Sequence, residues 1–165
     1  MSRFHTGLYH GLFEPLQRIE VVQLLGRHDL GEPWLSVDAI ALQCAPDVDE
    51  LAAMERLVAE SLDAGALGFS TGLFYTPGSY SVTDEVVVLA QVAADRGALY
   101  SSHLRSEGAD GPGLMAAYEE ALEIGRRTGV RVELSHVKCK GVPVWGKGGV
   151  VLALIETARR EGLDV

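Results

Sequence analysis

The chain has 165 residues, 47% of them hydrophobic and 22% charged, the make-up of an ordinary globular domain. Its formal net charge of -9 argues against a nucleic-acid backbone or an anionic membrane as partner, and no apolar run approaches the roughly 18 residues that span a bilayer. The start, Met1-Ser2-Arg3-Phe4-His5, has no basic stretch followed by an apolar one, and Cys44 and Cys139 make no disulfide framework, so a cytoplasmic location is expected.

Residues 1–46 form a segment of weak periodicity, with scattered His5, His10 and His28 and two early prolines, Pro15 and Pro33. Only Val21–Leu25 reads as a strand there, and the rest takes no assigned architecture. Residues 47–165 are far more regular. Leu51, Met54, Leu57, Val58 and Leu62 fall at helical spacing, which predicts a helix over Asp49–Ala64 with Asp47 or Asp49 as its cap. Thr83-Asp84-Glu85 opens a second helix, with Thr83 as N-cap and Val86–Ala94 as its body. Leu114–Thr128 is a third. Val150–Glu161 is a fourth, its last turn carrying Arg159 and Arg160 where cations complement the helix dipole.

Four glycines punctuate this region: Gly65, Gly97, Gly129 and Gly162, at intervals of 32, 32 and 33 residues. Each follows a helix-like stretch, as expected of a left-handed position beyond a helix end, and each precedes a short apolar run. Repeated βα units produce such a pattern, and continuous apolar strands alternating with helices predict an α/β protein with a parallel sheet. A doubly wound sheet and a (β/α)8 barrel both fit. A whole barrel takes roughly 250 residues, and Leu163-Asp164-Val165 lies where another strand would begin, so the chain is expected to be part of a larger domain.

Two of the apolar runs, Ala98–His103 and Val130–His136, end in histidine. With a helix between them they are expected to be parallel neighbours whose carboxyl ends share one edge, the edge where ligands and metals bind in α/β folds. Two imidazoles converging there suggest a divalent-metal site.

Three segments carry a resemblance to a known family. Gly65-Ala66-Leu67-Gly68-Phe69-Ser70-Thr71-Gly72-Leu73-Phe74-Tyr75, Ser102-His103-Leu104-Arg105-Ser106-Glu107 and Ser135-His136-Val137-Lys138 resemble, in order, three motifs of the N-acyl-D-amino-acid deacylases (D-aminoacylases) of the amidohydrolase superfamily. The resemblance implies part of a metal-dependent TIM barrel, about strands 3 or 4 to the start of 7, that hydrolyses the amide bond of small N-acyl-D-amino acids. It implies zinc, one or two ions, with His103 and His136 as ligands together with a cysteine from an earlier strand. It implies an oxyanion role for Tyr75, a substrate-carboxylate role for Lys138 and a close approach of backbone to substrate at Gly72. Arg105 and Glu107 would orient His103 from behind.

Plainer readings stand beside these roles. Tyr75 before Thr76-Pro77-Gly78 can pack over a turn, and Lys138, with Lys140 and Lys147, can be a solvated basic loop. Cys139 reads as a packing residue, Cys44 is not the metal cysteine, and His5, His10 and His28 match no ligand motif. The family's H-x-H pair is absent from this sequence, no cysteine motif matches, its general-base aspartate has no counterpart, and position 137 is valine where the family has a second histidine. An incomplete catalytic domain is therefore expected, inactive alone and weak in metal binding. It would need the remaining barrel segments or self-associate through exposed strand edges. Alternatives are a dihydroorotase-like cyclic amidase, against which the Ser-Thr-Gly-Leu-x-Tyr segment speaks, and a non-catalytic remnant that needs a partner chain.

Overall fold

A computed structural model describes residues 22–25, 34–37, 46–76 and 78–165. His5, His10, His28 and Cys44 lie outside the described residues. The elements run β1 (Val22–Leu25), β2 (Trp34–Val37), α1 (Val48–Asp63), β3 (Gly68–Gly72), α2 (Thr83–Ala94), β4 (Leu99–His103), α3 (Leu114–Thr128), β5 (Arg131–Leu134) and α4 (Gly148–Arg160), with short 3-10 turns at Gly78–Tyr80 and Val142–Val144. No helix among the described residues is long and apolar enough to cross a membrane.

The sheet order is β2-β1-β3-β4-β5. β3, β4 and β5 are parallel, as the repeat predicts. β1 departs from an all-parallel sheet, running antiparallel to both β2 and β3. The link between β1 and β2, residues 26–33, is too short for a parallel crossover, which needs a dozen residues or more. β2 thus turns back, and α1 makes the crossover from β2 to β3 with β1 lying between them. β2 itself was not legible as a strand, because Pro33 and the weak alternation around it mask the four-residue run.

Local chemistry sets the helix ends. Asp47 caps α1 through a reciprocal box: its carboxylate accepts from the Glu50 N–H at 2.9 Å, and Glu50 Oε2 accepts from the Asp47 N–H at 2.9 Å. Thr83 does not cap α2. The cap is Val82, without a side-chain bond, and the Thr83 hydroxyl donates to Glu120 Oε1 on α3 at 2.8 Å. The helix starts a residue earlier than a threonine cap requires, so Thr83 is its first helical residue and its hydroxyl serves a tertiary contact. The repeat glycines behave as predicted: Gly65, Gly97, Gly129 and Gly162 all have φ between 62° and 108°.

Leu163–Val165 does not form a strand, contrary to the expectation from its position in the repeat. Even so, the Val132 N–H of β5 donates to the Asp164 carbonyl at 2.8 Å, so the outer edge of β5 is partly met. Leu163 lies so close to α3 that a Cβ at Gly125 would be 2.7 Å from its Cδ1.

The strands step in one direction from β3 to β5, and right-handed crossovers then put their helices on one face. α1 packs on α2, α2 on α3 and α3 on α4. Strand register sorts the sheet residues by face. Phe69, Tyr100 and Val132 sit side by side and join Met54, Val58, Leu89 and Ile124 in the main core. The Phe69 and Tyr100 rings lie 5.1 Å apart, and the Tyr100 hydroxyl bonds the Thr71 hydroxyl at 2.8 Å. Full burial pushes the Tyr100 phenol up to about 12. Alternation then places Ser70, Ser101 and Glu133 on the opposite face, where the Ser101 hydroxyl bonds Glu133 and also lies 3.0 Å from Ser135 Oγ. Gly72 and His103, paired in register at the carboxyl end of the sheet, share that polar face.

Candidate metal centre

His103 is the last residue of β4, as the sequence predicts. His136 is not the last residue of its strand: β5 stops at Leu134, and His136 lies two residues beyond it. The physical reason is its backbone, with φ at 42°, the only non-glycine in the left-handed region among the described residues. Such a conformation costs roughly 1–2 kcal/mol for a residue with a Cβ. It takes the chain out of the sheet and brings the imidazole back over the end of β4. The result is the convergence expected of two strand-end histidines, reached through a strained bend. The rings lie 4.4 Å apart between centroids, nearly perpendicular at 77°, with His136 Nε2 2.9 Å from His103 Nδ1.

Glu107 completes the cluster from the loop between β4 and α3. Its side chain is almost fully buried, and Oε1 lies 3.0 Å from His136 Nδ1, 3.0 Å from Lys138 Nζ and 3.7 Å from His103 Nε2. These separations fit ion pairs, but neither Glu107 Oε1 nor His103 Nε2 has a partner in hydrogen-bonding geometry. The other nitrogens of the two rings, His103 Nδ1 and His136 Nε2, are within hydrogen-bond distance of each other. One ligand atom each from His103, Glu107 and His136 falls within 4.8 Å of the others, the spacing of a set able to hold one ion. Two imidazoles and a carboxylate are donors that zinc accepts.

Backbone contacts hold the Glu107 main chain there. The Lys140 N–H donates to the Glu107 carbonyl at 2.7 Å, joining the β4–α3 loop to the segment after β5. Gly108 permits this approach, since a Cβ at that position would meet the Lys140 carbonyl oxygen at 2.8 Å. The electrostatics favour coordination as well. Burial, then the neighbouring His136 and Lys138, hold the His103 pKa below its ordinary value against the opposing pull of Glu107. The neutral imidazole favoured in this way is the form that binds metal.

The other predicted site residues divide into two groups. Tyr75 lies beside the cluster, its ring 4.8 Å from that of His103 and more than half exposed, with Phe74 at 5.2 Å behind it. Gly72 is His103's register partner, and a Cβ there would meet nothing nearer than Tyr75 at 3.6 Å. Lys138 reaches the cluster through Glu107 and is half-exposed. Arg105 is directed elsewhere. Its guanidinium donates to the Ser79 and Ser81 carbonyls at 3.1 and 2.9 Å and makes two 2.8 Å bonds to the Glu120 carboxylate. It braces the turn that follows Tyr75 against α3. Cys139 is a half-buried free thiol beside the second apolar cluster, formed by α3, α4 and Val144.

Sequence reasoning placed Glu107 behind His103; in the structure its carboxylate lies within reach of both imidazoles. The available signal was a carboxylate between Ser106 and Gly108, in a loop free to fold back over the strand end.

No protein-family model matches the chain. It is 50% identical over 159 residues to the N-acyl-D-glutamate deacylase of Alcaligenes xylosoxydans xylosoxydans, covering 96% of this chain and 31% of that protein. A solved N-acyl-D-glutamate deacylase from Bordetella bronchiseptica, complexed with zinc and a phosphonate mimic of the tetrahedral intermediate, superposes with TM-score 0.71 at 45% identity, over 74% of this chain and 25% of its own. A D-aminoacylase whose binuclear metal centre is described as activated by one metal and attenuated by a second superposes with TM-score 0.70 at 35% identity, over 75% of this chain and 25% of its own. The chain thus spans about a quarter to a third of the length of these relatives. In sequence and in α/β fold, over the part it spans, it is similar to the metal-dependent N-acyl-D-amino-acid deacylases of the amidohydrolase type.

Proposed function

We propose that this chain carries the metal-binding wall of an active site that hydrolyses the amide bond of small N-acyl-D-amino acids. The observation that carries this reading is the convergence of His103, Glu107 and His136 at the carboxyl end of the parallel strands. Zinc bound to such residues supplies Lewis acidity, polarising an acyl carbonyl and acidifying water. The chain's own groups supply binding and orientation. His103 and His136 hold the metal. Tyr75, exposed beside His103, offers a hydroxyl to the developing oxyanion. Lys138, half-exposed at the rim, offers an ammonium to the substrate carboxylate. Gly72 leaves the floor open. A cytoplasmic setting, supported by the free Cys139 thiol, belongs to the same reading, with the remaining barrel strands supplied by further polypeptide.

A segment exchange tests this. This chain, substituted for the matching third of the N-acyl-D-glutamate deacylase it resembles, is expected to give a chimera with zinc-dependent release of D-glutamate from N-acetyl-D-glutamate. The isolated chain is expected to stay at background, because the H-x-H pair and the base aspartate implied by the resemblance are not in its sequence. A chimera that folds and binds zinc but hydrolyses no N-acyl-D-amino acid would refute the proposal.

A further inference from the structure

We infer that Arg105 is a positioning residue for Tyr75: clamped by Glu120, it fixes the turn that follows Tyr75 and so sets that ring against His103. The role of Tyr75 itself rests on the reading above. The Tyr75 ring is more than half exposed, so burial does not hold it and its place is decided by its backbone. That backbone is closed on itself. The Tyr75 N–H donates to the Gly72 carbonyl at 3.1 Å, the Ser79 N–H to the Tyr75 carbonyl at 2.7 Å, and the Ser81 hydroxyl to the Gly78 carbonyl at 2.8 Å. Gly78 sits so close to the end of β3 that a Cβ there would lie 2.4 Å from the Gly72 carbonyl oxygen. These contacts tie Tyr75 and the Ser79 and Ser81 carbonyls into one unit.

Arg105 takes hold of the far end of that unit. Its Nη1 donates to the Ser79 carbonyl at 3.1 Å and its Nη2 to the Ser81 carbonyl at 2.9 Å. The guanidinium is fixed in turn by its forked pair with Glu120 on α3, and Thr83 at the start of α2 donates to the same carboxylate at 2.8 Å. Only a planar fork meets two carbonyls and a carboxylate at once; an ammonium does not. Arg105 stands two residues beyond His103, so the strand that presents the imidazole also carries the clamp. At the near end, the Leu73 N–H donates to the His103 carbonyl at 3.1 Å. The 4.8 Å contact between the Tyr75 and His103 rings lies between these two ties.

The test is NMR of the purified full-length chain without metal or substrate. Cross-relaxation between Tyr75 and His103 ring protons reads the contact, and the Ile124 and Val132 methyl shifts report the core. Arg105→Lys and Glu120→Gln, both milder than truncation, are expected to lose most of the ring contact while the methyl shifts stay in place. Val58→Ala removes two methyl groups from the main core, lowers stability without touching the clamp, and is expected to keep the contact. No ring contact in the wild type, a contact kept in either clamp variant, or its equal loss in Val58→Ala would overturn the inference. In the chimera described above, Arg105→Lys is expected to lower kcat about tenfold or more with KM within about threefold, because a misplaced group acts on the chemical step. An unchanged kcat there would also overturn it. A chimera inactive without any substitution fails the deacylase reading alone, and the ring contact then decides this inference.

Discussion

Replacing His103 with alanine is expected to lower zinc affinity by on the order of a hundredfold or more while leaving the fold intact. A structural zinc ion contributes roughly 10–16 kcal/mol over about four donors, so a single imidazole carries roughly 3 kcal/mol of it. The ring stands on the polar face of the sheet beside Tyr75 and His136, away from the core built on Phe69, Tyr100 and Val132, so its loss leaves no cavity there. In the wild type, zinc should raise the melting temperature through mass action, and in the variant that rise should shrink or vanish. Equal affinities for the two proteins would remove His103 from the site.

Arg105→Ala is expected to destabilise the domain by about 3 kcal/mol, a fall of roughly 10 °C in melting temperature. Arg105 and Glu120 are 17% and 11% exposed as side chains, and the guanidinium also satisfies two turn carbonyls, so truncation strands several buried polar groups at once. Urea unfolding should show a lower midpoint at unchanged slope. Arg105→Lys should recover less than half, because an ammonium cannot make the paired bonds to Glu120. Glu85 adds a pH dependence. Burial raises its carboxyl above the ordinary carboxylate value, while the Arg105 charge pulls it back down. A raised folded value means stability that is present at acid pH and lost as pH rises through it. Without Arg105 that loss grows, so the deficit should be larger near pH 7 than near pH 4.5. A deficit independent of pH would show that Arg105 and Glu85 are not coupled.

How much was legible beforehand differs by element. The four-glycine repeat placed the helices to within two residues, since helix ends here follow local backbone chemistry, and Leu114–Thr128 was placed at both ends. The antiparallel pairing of β1 was not legible, because strand direction is decided by the short β1–β2 link and by which strand fills the gap beside β3. In the candidate site, the meeting of His103 and His136 was legible because each follows an apolar run. The bend at His136 was hidden, as the sequence has no glycine or asparagine there to announce a left-handed residue. Arg105 and Glu107 were read as a pair because they are neighbours in one motif. In space they separate: Arg105 braces α3 and the turn after Tyr75, and Glu107 turns in among the imidazoles. Sequence proximity in a loop says little about side-chain direction when both sides offer charged partners.

The most direct measurement is anomalous X-ray scattering at the zinc edge from crystals of the full chain grown with zinc. One peak in bonding contact with His103 and His136 is expected. Histidine rings facing away from each other, or a peak that touches neither, would contradict the account.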